Sequence, residues 1–159
     1  MSFDDWMLAL HVLSAFALVA GIIFFWVLIV AVRGAHTPEA TLSLGPLTRV
    51  AGAAIGIGMG GTIILGIWLA FSVGGYDIWD WWIIASLVLW AVAAGLGQRA
   101  DKSYVESVEK AQELQASGQT GPNAALVALN RNAGGVVLQA LISIVVLLII
   151  LDMIWKPGA

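Results

Sequence analysis

The chain has 159 residues, of which 60% are hydrophobic and 11% charged, and its formal net charge is −3. A soluble domain carries roughly 25% charged residues. The low charged fraction of this chain therefore excludes a water-facing surface of ordinary polarity. The absence of cysteine excludes disulfides, thiolate metal sites, iron–sulfur clusters and cysteine nucleophiles. The sequence also contains no basic tract with interleaved aromatic residues, so we expect no nucleic-acid partner.

The start of the chain has the length of a membrane span and not of a signal peptide. Asp4 and Asp5 precede an uncharged stretch over residues 6–32. A signal peptide begins with a positively charged region and has a shorter apolar core. We therefore predict that this stretch is a retained transmembrane helix.

Four apolar stretches have about the 20 residues needed to cross the hydrocarbon core of a bilayer. They cover residues 6–32, 50–73, 80–97 and 133–155. The alternative, that they are buried helices of a soluble protein, is disfavoured because the rest of the chain is too short to cover them with a polar shell. Hydropathy thus predicts an all-α, four-helix transmembrane bundle that forms a single membrane domain over residues 1–159, in contact with the lipid bilayer.

Basic residues predict the orientation of the bundle. Six of the seven lysines and arginines fall between spans one and two or between spans three and four, namely Arg33, Arg49, Arg99, Lys102, Lys110 and Arg131. Only Lys156 lies on the other side. Because cytoplasmic loops are enriched in lysine and arginine, we predict a multi-pass protein of the inner or plasma membrane with both termini on the non-cytoplasmic side.

The segment between spans three and four has helical character for most of its length. Residues 98–114 contain no glycine or proline, and Tyr104, Val108 and Ala111 recur at helical spacing. A segment over residues 116–123 then breaks the helix, and Asn123 is suited to cap the next one. We predict that spans three and four extend into the cytoplasm as a helical hairpin over residues 98–132, either as a solvated extension or as a docking element.

Span two carries Gly52, Gly56 and Gly60 at four-residue spacing. Small residues at this spacing allow the backbones of two helices to approach closely in lipid. These glycines do not form a phosphate loop, because they lack the following Lys-Ser/Thr pair and a preceding strand. We predict a helix-packing face that contacts either another span or a partner, in a homo- or hetero-oligomer.

His11 is the only histidine inside a predicted span, and ionisable residues within the membrane are functional candidates. Ser14 lies on the same face, which is formed of side chains small enough to admit a flat ligand. An imidazole here could be an axial ligand of haem iron, with Met153 of span four as the candidate second ligand at matching depth. The alternative is a neutral histidine that hydrogen-bonds to a neighbouring helix.

Arg49 begins span two at its predicted cytoplasmic end. Its guanidinium could hold a phosphate, a lipid headgroup or a haem propionate, or it could set the orientation by extending to the membrane surface. The middle of each span contains no acidic residue and no lysine, which argues against an ion-coupled transporter.

The first span reads Leu10-His11-Val12-Leu13-Ser14 and then, after five residues, Ala20-Gly21-Ile22-Ile23-Phe24. This pattern resembles the opening helix of a group of four-helix bacterial membrane proteins. The group includes CopD-like copper-resistance proteins, HemJ-like protoporphyrinogen oxidases and predicted integral membrane proteins without an assigned role, and the last resemble this chain most. The resemblance implies that His11 binds haem b. Because HemJ-like proteins use a lysine in a later span and the third span here is uncharged, it does not extend to the oxidase activity.

Three functions follow from these patterns. The first is a non-catalytic accessory subunit that packs onto a larger membrane complex, of the respiratory or electron-transfer kind. The second is a haem b protein in which His11 is an axial ligand for electron transfer or haem-linked oxidation. The third is a small transporter of a metal or solute. The sequence contains no complete catalytic motif, so we expect a role other than that of an enzyme.

Overall fold

A computed structural model describes residues 2–74 and 77–157, and their regular secondary structure is entirely helical. The helices are α1 (Phe3–Gly34), α2 (Pro38–Leu42), α3 (Gly45–Ser72), α4 (Trp81–Ala116), α5 (Ala124–Asn130) and α6 (Ala133–Trp155). Four helical segments, containing α1, α3, α4 and α6, are long and apolar enough to cross a membrane. The prediction of an all-α fold with four such helices is therefore confirmed, and the chain fits a multi-pass membrane protein.

Several of these helices have a side chain that caps their first turn. At α1, the Ser2 hydroxyl accepts a hydrogen bond from the Asp5 amide and the Asp5 carboxylate accepts one from the Ser2 amide. The Asn123 side chain accepts hydrogen bonds from the Ala125 and Leu126 amides in the first turn of α5, as its position in the sequence predicted. The Asn132 side chain caps α6 in the same way, by accepting from the Gly134 amide.

Two features of the connecting segments differ from the sequence interpretation. The short helix α2 was not predicted, because five residues are too few to show a helical period, although Thr37 caps it and Pro38 stands in its first turn. The second difference concerns the predicted helical hairpin. The long helix α4 runs without a break from the third span to Ala116, as predicted, but the fourth span does not extend in the same way, because residues 131–132 separate α5 from α6.

The four long helices form two close pairs, in which α1 packs against α3 and α4 packs against α6. Glycines bring α1 and α3 together. A methyl group added at Gly58 would lie 2.5 Å from the Leu18 backbone nitrogen, and one added at Gly21 would lie 3.0 Å from the Ile55 backbone nitrogen. Because lipid provides no hydrophobic drive for helices to associate, such close contact between backbones is a main source of attraction.

Apolar side chains and hydrogen bonds join the two pairs. At mid-bundle, one buried cluster contains Leu18 and Ile22 from α1, Ala93 from α4 and Val146 from α6. The following three side-chain hydrogen bonds cross between the pairs: Trp26 Nε1 to Ser143 Oγ at 3.0 Å, Trp90 Nε1 to the Met59 carbonyl at 3.1 Å and Gln139 Nε2 to the Ile22 carbonyl at 3.3 Å. Hydrogen bonds between helices in membranes contribute roughly 0.6–2 kcal/mol each, so these three orient the pairs relative to one another.

The helices α2 and α5 pack on the extension of α4 and form what we call the cap. Its core contains Leu126, which is fully buried, with Ala111 and Leu114 of α4. The buried Asn130 side chain connects α5 to the preceding segments, because its Nδ2 donates to the Ala35 carbonyl at 3.0 Å and to Thr41 Oγ1 at 2.9 Å. We call the end of the bundle that carries the cap the basic end, since Arg33 and Arg131 lie there.

We predict that alanine has opposite effects at two neighbouring glycines of α3. Gly58→Ala should lower the free energy of unfolding by about 1–3 kcal/mol, because the new methyl group meets the backbone of Leu18. Gly60→Ala should leave it unchanged or raise it by up to about 1 kcal/mol, because a methyl group there meets no atom within 4 Å and alanine favours helix. Reversible unfolding of each variant in mixed micelles would measure the difference. Equal destabilisation by the two substitutions would contradict this packing of α1 on α3.

Candidate functional sites

The His11 side chain faces α3 from the third helical turn of α1. A Cβ atom at Gly66 would lie 3.1 Å from Cε1 of the imidazole and 3.5 Å from Nδ1. The ring is also beside the backbone of Thr62. Nδ1 is buried and has no hydrogen-bond partner among the described residues. The glycine at position 66 thus provides the space that the imidazole occupies.

The next two turns of α1 on the His11 face are also covered by α3. The Ser14 hydroxyl donates to the Leu10 carbonyl at 2.8 Å, and its side chain fills the space beside Gly61. One turn further, Leu18 meets Gly58. The sequence suggested that this face could admit a flat ligand, but in the structure α3 lies directly on it.

Met153 lies on α6, which packs chiefly against α4 rather than against α1. The residue before it, Asp152, accepts a hydrogen bond of 2.5 Å from the buried Ser86 hydroxyl of α4. No contact described in this structure joins His11 to Met153, so their pairing as two axial ligands stays a prediction. Val146 and Gln139 lie seven and fourteen residues before Met153, on the same face of α6, and both are buried, so this face is directed into the bundle.

The surroundings of His11 do not fit a haem between α1 and α3. The unpartnered Nδ1 is the kind of atom that an axial ligand provides. A porphyrin also needs open space beside that nitrogen, and α3 occupies this space up to Gly66. Within the described ranges 2–74 and 77–157, no group of three or more histidine, cysteine, aspartate or glutamate side chains is arranged to hold a metal ion.

A second group of glycines on α3 faces away from α1. Cβ atoms added at Gly52, Gly56 or Gly60 would meet no atom within 4 Å. We call this surface the open glycine face. The sequence left two possible occupants for it, another span or a partner, and in the described structure no other span of the chain covers it.

A cavity of about 60 Å³ lies at the basic end, between α1 and the α4/α6 pair. We call it the basic-end cavity. Its polar lining comes from five helices and the segment that joins α5 to α6, and consists of Arg33, Thr48, Ser103, Tyr104, Ser107, Asn130, Asn132 and Gln139. Its apolar lining includes Phe25, Leu28 and Ile29 of α1. Sequence reasoning did not find this site, because no stretch of the chain contains more than a few of its residues.

Arg49, the residue predicted to contact a phosphate or propionate, is exposed at the start of α3. It does not line the basic-end cavity, although its neighbour Thr48 does. The Thr48 hydroxyl is hydrogen-bonded to the Tyr104 hydroxyl at 2.8 Å. The arginine that lines the cavity is Arg33 of α1, for which the sequence predicted only a role in orientation.

No protein-family model, curated protein or solved structure matches this chain. The similarity of the first span to CopD-like and HemJ-like proteins stays a prediction from sequence.

We predict no Soret absorption band in the protein purified from haem-replete cells, because α3 occupies the space beside His11 that a porphyrin would need. Absorption spectra of the oxidised and dithionite-reduced protein would test this. If a band is present, His11→Ala decides its origin, with His36→Ala as the matched control, since His36 is an exposed histidine outside the four long helices. A band that is lost only in His11→Ala would show that the helices separate to admit haem, contrary to the packing described above.

Proposed function

We propose that this protein is a non-catalytic accessory subunit of a larger membrane complex and that it contacts its partner through the open glycine face of α3. The observation that carries the proposal is the division of the α3 glycines between two faces. Gly58, Gly61 and Gly66 are used in packing against α1, whereas a Cβ added at Gly52, Gly56 or Gly60 would meet no atom within 4 Å.

An uncovered row of glycines has no function within the monomer. Glycine costs a helix interior roughly 1 kcal/mol relative to alanine, and three of these residues stand in the middle of one span. In lipid, small residues at four-residue spacing allow a second helix to approach closely and strengthen van der Waals contact. The open glycine face therefore supports contact with a helix of another chain, in a homo- or hetero-oligomer.

The transporter alternative has less support. The cluster of Leu18, Ile22, Ala93 and Val146 fills the space between the helix pairs at mid-bundle. A path for a metal or a polar solute needs polar or ionisable side chains along its length. The cluster itself is apolar, and the polar side chains beside it, Gln139 and Ser143, are already hydrogen-bonded to α1.

We further propose that the protein lies in the inner or plasma membrane with its basic end in the cytoplasm and both termini outside. Arginine and lysine concentrate at the basic end, as the positive-inside rule requires. Exposed indole rings concentrate near the opposite end, where Trp6, Trp79, Trp81 and Trp155 are each more than half exposed. Tryptophan favours the interface between lipid and water.

This orientation predicts which positions a membrane-impermeant thiol reagent can reach. The chain has no native cysteine, so single cysteines can be introduced without background. Asp77→Cys in intact spheroplasts should be labelled by an impermeant maleimide, whereas Gln119→Cys should be labelled only after the membrane is opened. Both positions are exposed on the protein surface. The reverse pattern of labelling would contradict the proposed orientation.

For the partner contact, we predict that Gly56→Ile removes most of the co-purifying partner chain. Isoleucine would hold a second helix away from the backbone of α3 while leaving the packing of α1 on α3 unchanged, because residue 56 faces away from α1. Native gels and native mass spectrometry of the protein extracted in mild detergent would measure the stoichiometry of the complex.

The matched control is Gly95→Ile. This substitution makes the same change on α4 at another glycine whose added Cβ meets no atom within 4 Å, so it should leave the complex intact. A wild-type protein that is monomeric without a bound chain, or equal loss of the partner in both variants, would contradict the proposed contact.

A further inference from the structure

The basic-end cavity has the polarity of a phospholipid's headgroup region. Arg33 and Phe25 both line it from α1, and eight residues of α-helix separate them by about 12 Å along the axis. The lining is more polar towards the cap, where it includes Arg33, Tyr104 and Asn130, and more apolar further into the span, where Phe25, Leu28 and Ile29 lie with the single amide of Gln139. The same change from polar to apolar occurs along a lipid from its phosphate to its first acyl carbons.

The charges around the cavity favour an anion. Among the described residues that line it, Arg33 carries the only formal charge. Its guanidinium donates to the Arg131 carbonyl at 3.0 Å, and the Arg131 guanidinium donates in return to the Arg33 carbonyl at 3.4 Å. Within the described structure the only ion pair is Lys110–Glu113, so neither arginine is neutralised by a carboxylate. Arginine paired with phosphate is a strong charge-assisted contact.

One neutral side chain that lines the cavity, that of Asn130, lacks a hydrogen-bond donor within the described structure. Asn130 is only 5% exposed, and its Oδ1 has no hydrogen-bond partner among the described residues. Both of its amide hydrogens are used outside the cavity lining, on the Ala35 carbonyl and on Thr41. A buried acceptor without a partner is costly. A ligand that carries an ammonium or hydroxyl group beside its phosphate would supply the missing donor.

The size of the cavity agrees with a small polar group. One water molecule occupies about 10–15 Å³ of such a cavity, so about 60 Å³ has room for roughly four to six waters or for a polar group of similar volume. It is too small for a whole lipid, whose acyl chains would lie outside it against the helices.

We infer that the basic-end cavity binds the headgroup of a phospholipid from the adjacent leaflet. Its phosphate lies at Arg33, and its ammonium or hydroxyl group donates to the side chain of Asn130. This inference does not depend on a protein partner at the open glycine face.

Native mass spectrometry of the delipidated wild-type protein would test the inference, with phosphatidylethanolamine, phosphatidylglycerol or inorganic phosphate added in separate samples. One phospholipid should stay bound to the wild type. Arg33→Gln should weaken this binding about tenfold or more, because it removes the charged donor to the phosphate. The matched control is Arg99→Gln, which removes an exposed arginine of α4 that does not line the cavity, and it should bind as the wild type does.

Arg33→Gln also removes a hydrogen bond to Arg131, so a second variant tests the cavity while leaving that contact in place. Gly135 lines the cavity, and a Cβ added there would meet only Ser103 Oγ, at 4.0 Å. Gly135→Leu should therefore fill the cavity without disturbing the helices and should also remove the bound lipid. If Arg33→Gln fails to fold, this variant decides the result.

Three results would overturn the inference. Equal lipid binding by the wild type, Gly135→Leu and Arg99→Gln would show that the lipids attach around the bundle and not in the cavity. Binding of inorganic phosphate without binding of either lipid would assign the cavity to a soluble anion. A wild type that retains neither lipid nor phosphate would show that the cavity contains only water.

Discussion

The close approach of α1 and α3 is the interaction on which the rest of the structure depends. Apolar side chains gain little by leaving lipid for another apolar surface, so helices in a membrane need close backbone contact or hydrogen bonds to associate. Gly58 allows the backbone of α3 to reach that of Leu18, and Gly21 allows the reverse approach of α1 to Ile55. This contact creates the first helix pair, against which the second pair then packs.

The same contact decides what His11 can do. An isolated imidazole in a span is a candidate for a ligand, but here the ring fills the space that Gly66 leaves open. The residue serves as part of the packing between α1 and α3, and its unpartnered Nδ1 is covered by α3. The outward row of Gly52, Gly56 and Gly60 takes no part in this contact, since a Cβ added at any of them meets no atom within 4 Å.

The two ends of the bundle have different characters. At the basic end, the cap and the paired arginines surround a small cavity with a polar and an apolar side. At the other end, Asp152 is hydrogen-bonded to Ser86 within the α4/α6 pair, and exposed tryptophans surround the helix ends. Between them, the apolar cluster around Val146 closes the middle. Charged side chains thus lie towards the two ends of the bundle, whereas the buried cluster between them is apolar.

Hydropathy and local signals by themselves determined the four spans, the long extension of α4 and the cap of α5 by Asn123, because each depends on residues near one another in the chain. The short helix α2 escaped prediction because five residues show no period. Only the tertiary structure decided which glycines of α3 pack within the monomer, that α3 covers the face of His11, and that Arg33 and not Arg49 lines a cavity. The physical reason is that a helix with small residues on several sides has no preferred partner face in its own sequence. The partner face is chosen by contacts between segments far apart in the chain, such as Leu18 with Gly58 and Asn130 with Ala35.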